Sequence, residues 1–98
     1  MESSRSVKAT ITWEKDPARF LLNTWITDII VNYGELKGKH FIGDSWTVPV
    51  RITSFVEGTW DTFADVGFLV DEAPWHLLVS GYTFRLWAGK EIATVKIL

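Results

Sequence analysis

The chain has 98 residues, a formal net charge of −2 and no cysteine. That length suits one domain with a modest core, and a hydrophobic content of 47% excludes disorder by composition. The lack of cysteine excludes disulfides, thiolate nucleophiles and cysteine-ligated zinc, and apolar runs such as Ile29-Ile30-Val31 are far shorter than a spanning helix.

Charge is unevenly spread. Residues 52–84 hold Glu57, Asp61, Asp65, Asp71 and Glu72 but no Lys or Arg, so every basic residue lies in the flanks. An acidic middle repels phosphate, whereas the two ends tolerate it. Residues 1–6 are polar and lack the apolar centre of a secretion signal, so they are expected to form a flexible tail before one domain at 7–98. With no cysteine and no signal, the cytoplasm is the expected location.

Along the chain, Val7, Ala9, Ile11 and Trp13 alternate with Lys8, Thr10 and Thr12, the period-two pattern of a half-buried strand. Glu14-Lys15-Asp16-Pro17 ends it, because proline cannot donate to a ladder. Residues 19–33 suit either a helix or strands. Their Thr, Ile, Val and Trp content favours strands, one ending near Leu22 and another over 25–33. Gly34 to Gly38 reads as a loop, residues 39–42 as a short strand and Gly43-Asp44-Ser45 as a turn. Over 46–55, Trp46, Val48, Val50, Ile52 and Ser54 share one face, and Pro49 on the other parity marks an edge or bulge. Glu57-Gly58-Thr59 is a turn. Residues 60–65 read as irregular and 66–70 as a strand, followed by a further strand over 75–79. The chain closes with a hairpin over 81–98 that turns at Ala88-Gly89-Lys90. Short strands at this spacing predict an all-β fold.

The closing hairpin carries a resemblance. Phe84, Leu86, Gly89, Lys90, Ile92, Ile97 and Leu98 match, by type and order, the end of the C-terminal barrel domain of elongation factor Tu. Residues 60–70 are similar to its penultimate strand region and 7–13 to its opening strand. The resemblance implies a small closed antiparallel barrel of about six strands, a stand-alone module of a translation-factor-like superfamily. Two departures stand beside it. Ala93, Thr94 and Val95 replace the family's small glycine-containing stretch, and its proline-glycine-aspartate strand entry is missing. In the family this barrel packs on the nucleotide domain and touches the aminoacyl-tRNA stem. Here Gly38-Lys39 and Gly89-Lys90 are followed by His40 and Glu91 rather than Ser or Thr, so no GTPase motif is present.

Other chemistry reads weakly. His40 and His76, with Asp44 or Asp71, lack ligand spacing, so no metal or cofactor is expected. Ser80, His76 and Asp71 form a nominal triad without a nucleophile elbow. Asp61 with Asp65, or Asp71 with Glu72, form nominal acid–base pairs with no sign of a cleft. Of the tryptophans, Trp13 and Trp46 fall on core parity, and Trp60 and Trp75 lie in acidic surroundings. Trp87 is expected to project outward with Arg85 if the hairpin stays regular.

The expected function is a non-catalytic barrel that binds a protein partner through Arg85, Trp87, Lys90 and Lys96. One alternative is an RNA- or tRNA-binding accessory factor with a basic stripe of Lys8, Lys37, Lys39, Arg85, Lys90 and Lys96. A second is a small enzyme with a pocket around His40 or His76. Self-association through edge strands or exposed tryptophans is a further expectation.

Overall fold

The computed structural model describes residues 6–32, 45–73 and 75–98. Expectations for the tail at 1–5, the loop and strand over 34–42, and His40, Asp44, Lys37 and Lys39 fall outside them.

Among the described residues, eight strands form one antiparallel sheet: β1 (Val7–Trp13), β2 (Trp25–Ile26), β3 (Ile30–Asn32), β4 (Ser45–Thr47), β5 (Val50–Phe55), β6 (Asp61–Val66), β7 (Thr83–Trp87) and β8 (Glu91–Ile97). Their order is β2-β5-β6-β1-β8-β7-β3-β4. The sheet curls into a barrel-like half-shell, and no α-helix occurs among the described residues. The all-β expectation holds at this level, with eight strands where the sequence suggests about six.

Alternation dictates what fills the concave side. Ala9, Ile11 and Trp13 of β1, Phe84 and Leu86 of β7, and Ala93, Val95 and Ile97 of β8 are all buried. They meet Val50 and Ile52 of β5 and Ala64 and Val66 of β6 in one cluster. The first strand lies between β6 and β8, pairing Ile11 with Thr62 on one side and with Val95 on the other.

The break between β4 and β5 falls at Val48-Pro49, as the parity of Pro49 suggests: its missing N–H interrupts the ladder. The break is bridged locally, since the Val48 N–H donates to the Ile29 carbonyl at 2.8 Å. Either side of that bond, Ile26 faces Val50 and Ile30 faces Thr47.

Three sequence expectations are corrected. No strand reaches Leu22; instead Pro17–Arg19 form a 3-10 turn, capped by an Asp16 Oδ1 that accepts from the Ala18 N–H, and Asn23 adopts φ 61°. The strand expected at 66–70 lies earlier, at Asp61–Val66, in the stretch read as irregular. The strand expected at 75–79 is a 3-10 turn, Trp75–Leu77. Phe68, Ala73, Trp75 and Leu78 are buried as a cover rather than as ladder, while Leu69, Val70 and Val79 are exposed. Phe68 packs edge-on to Trp75 at 5.4 Å and to Trp46 at 6.4 Å, and the Trp75 Nε1–H donates to the Val70 carbonyl at 2.9 Å.

Candidate binding surface

On the convex side, a row of directly opposed residues runs across four strands. Trp25 faces Arg51, Arg51 faces Asp65, and Asp65 faces Lys8. Arg51 lies 4.9 Å over the Trp25 ring and donates from Nη2 to Asp65 Oδ2 at 2.6 Å. The Lys8 Nζ meets Asp65 Oδ1 at 2.8 Å. An outward-facing carboxylate is thereby buried to 2% exposure. Burial raises its pKa, but the hydrogen bonds and charges of Lys8 and Arg51 outweigh this and hold Asp65 below the usual carboxylate range. The row is structural, an ion-paired clamp across the strands.

Asp65 and Asp61 share that face four residues apart, roughly 13 Å along a strand. Asp61 instead accepts from the Thr12 hydroxyl at 2.8 Å, so the two carboxylates answer to different partners. Inside the sheet, Thr62 is the buried polar group, and its Oγ1 accepts from the Trp13 Nε1–H at 2.9 Å. His76 and Ser80 are exposed, and no hydrogen bond joins them to each other or to Asp71. Among the described residues, no group of three or more His, Cys, Asp or Glu is placed to hold a metal, and no helix is long and apolar enough to cross a membrane.

The closing hairpin positions the four predicted contact residues separately. Lys96 faces Thr83 and Thr10, whereas Arg85 faces Thr94. The Arg85 guanidinium is tied to Glu91 at 3.4 Å. The register shifts between Leu86 and Trp87, leaving Trp87 opposite Glu91 and Ile30 and half-buried. Its indole N–H is buried without an acceptor, as is that of Trp46. Lys90 is exposed in the turn, where Gly89 takes φ +82°. Thus Arg85, Trp87 and Lys90 all lie toward the Glu91 end of the hairpin, and Lys96 at the far end.

Next to Lys90 opens a cavity of about 520 Å³. Four pieces of chain build it: the end of β1, the segment after it, the β2–β3 junction and the β7–β8 turn. Trp13, Phe20, Ile26, Ile29 and Ile92 supply apolar walls, and the rings of Trp13 and Phe20 are 4.9 Å apart. The rim carries charges of both signs.

Sequence reasoning missed exposed apolar residues on the segments that border this mouth. Trp60 is 50% exposed, and its carbonyl accepts from the Trp13 N–H at 3.1 Å, which sets it beside the cavity wall. Phe55 is exposed on the other arm of the same turn, which the Val56 N–H closes onto the Asp61 carbonyl. Leu21 and Leu22 follow Phe20 and are exposed, and the next residue, Asn23, donates its N–H to the Ile52 carbonyl. The available signal was position: Leu21, Leu22 and Trp60 lie in breaks between strands, and Phe55 is the last residue of β5.

Compared with known proteins, the chain matches no family model, no curated protein and no solved structure.

Proposed function

We propose that this protein is a non-catalytic β-barrel interaction module that binds a protein partner at the end of the sheet where the closing turn meets the cavity mouth. One observation carries the reading: of the large apolar side chains that stand exposed, Leu21, Leu22, Phe55 and Trp60 lie on segments bordering the cavity mouth, while the concave side is already filled by the chain's own core. Contiguous exposed apolar surface rimmed by charge is where soluble proteins meet partners. Of the hairpin residues, Trp87 and Lys90 belong to that end, with Arg85 held there by Glu91, whereas Lys96 lies at the far end of the hairpin, outside that surface.

The fold we propose beneath it is a closed barrel of six strands. β2 with β3, and β4 with β5, then count as two bent strands held together at their bend by the Val48–Ile29 bond. In support, β5 carries the pairing to β6 at one end of this ribbon and β3 carries it to β7 at the other. Likeness to the C-terminal barrel of elongation factor Tu rests on the hairpin residues, of which Phe84, Leu86 and Ile97 are buried and Gly89 makes the turn.

Capture of partners from lysate, with and without RNase, tests the module reading. Wild type is expected to retain a protein partner after RNase treatment, and a folded Leu22→Ser, Trp60→Ser double variant to lose it. Equal capture by both, or capture that vanishes with RNase, overturns the reading. The second outcome favours an RNA-binding factor, although Lys8 and Arg85 of the expected basic stripe are already ion-paired with Asp65 and Glu91.

A further inference from the structure

The cavity has a composition more specific than a generic contact patch. Its walls are aromatic and aliphatic, while its rim holds Lys15, Arg19 and Lys90. None of these cations is ion-paired with a carboxylate among the described residues. Two of the rim carboxylates are engaged: Glu91 faces Arg85 at 3.4 Å, and Asp16 accepts the Ala18 N–H at 2.9 Å. Glu14 and Asp28 are the remaining acids. Arg19 is the best placed of the cations, since its guanidinium lies 4.9 Å over the Phe20 ring, at the aromatic wall itself.

A guanidinium stacked on an aromatic wall keeps its N–H fork free for a planar anion. A space of about 520 Å³ is in the range of small-ligand sites and admits an indole or phenyl ring. We infer that this cavity binds an aromatic carboxylate, its ring between Trp13, Phe20 and Ile92 and its carboxylate on Arg19 and Lys90. The carboxylate belongs either to a free aromatic acid or to the C-terminal Phe or Trp of a polypeptide. The second source rests on the protein-binding reading above and deepens it.

Amide-resolved NMR titration tests this with four probes: N-acetyltryptophan, its neutral amide, tryptamine, and a pentapeptide ending in Trp with a free carboxylate. The acid is expected to give saturable shifts at Trp13, Phe20, Ile29, Lys90 and Ile92. The amide should bind about ten-fold more weakly, the size of one lost charge-assisted contact. Arg19→Gln and Lys90→Gln concern exposed side chains, so their spectra should stay dispersed while the acid's affinity drops toward that of the amide. A pentapeptide that binds more tightly than the acid assigns the ligand to a polypeptide terminus; equal affinity assigns it to a free aromatic acid. Equal or tighter binding of the amide or tryptamine, shifts elsewhere, or no saturation by ~10 mM overturns the inference. Partner capture that survives such a negative result overturns only this site, whereas ligand binding without any captured partner overturns the module reading.

Discussion

Asp65, which the sequence leaves in an irregular stretch, is explained only by its strand and its neighbours. Its parity on β6 sends it to the convex face, where an isolated carboxylate would stay solvated; Lys8 and Arg51 close over it instead. Because its pKa is lowered in the folded state, the native protein holds fewer protons than the unfolded chain at acid pH. Its contribution is therefore complete above the ordinary carboxylate range and fades as pH falls through the lower folded value. Asp65→Asn is expected to cost about 2 kcal/mol at neutral pH, since the cations left behind are partly solvated. Urea unfolding should also show a flatter loss of stability below about pH 4 in the variant than in wild type. The Trp13–Thr62 bond belongs to the same scale. Core parity made Trp13 legible, but no pattern announced that a threonine one strand away would accept its N–H.

Among the elements, the closing hairpin was the most legible. Its alternation, glycine turn and length all agree, and β7 and β8 form where the sequence places them. Gly89 at φ +82° has nothing within 4 Å of where a Cβ would stand, so a substitution there tests the backbone alone. Gly89→Ala is expected to destabilise by about 1–2 kcal/mol through that left-handed conformation, read as a lower urea midpoint at unchanged slope. The sixth strand was misread for a definite reason. Its inward residues, Thr62, Ala64 and Val66, are small or polar, whereas its one aromatic residue, Phe63, faces out. The alternation is present but inverted in apparent hydrophobicity. Residues 67–70 and 75–79 erred the other way: Phe68, Trp75 and Leu78 bury as a cover without joining the sheet, while Leu69, Val70 and Val79 stay exposed.

At the scale of the whole molecule, the sheet is held by pairings between distant segments. The first strand is completed by β6 on one side and by the last strand on the other. Loop closure must therefore precede most of the stabilising contact. Refolding by stopped-flow fluorescence is expected in milliseconds to seconds, with circular dichroism following the same single phase. A microsecond phase carrying most of the amplitude would contradict that dependence on distant pairing. The candidate surface belongs to this scale too. The cavity gathers residues 13–20, 26–29 and 88–92, and its apolar margin adds Phe55 and Trp60. No local pattern links these segments, so the hairpin cations were visible in the sequence while the aromatic mouth beside Lys90 was not. Sequence by itself determined what depends on neighbours along the chain: the period-two strands, the breaks at Pro17 and Pro49, the Gly89 turn and the all-β character. Only the tertiary structure decided which strands lie side by side, which face of β6 is inner, and which exposed side chains share one end, because those are set by packing between residues far apart in the chain.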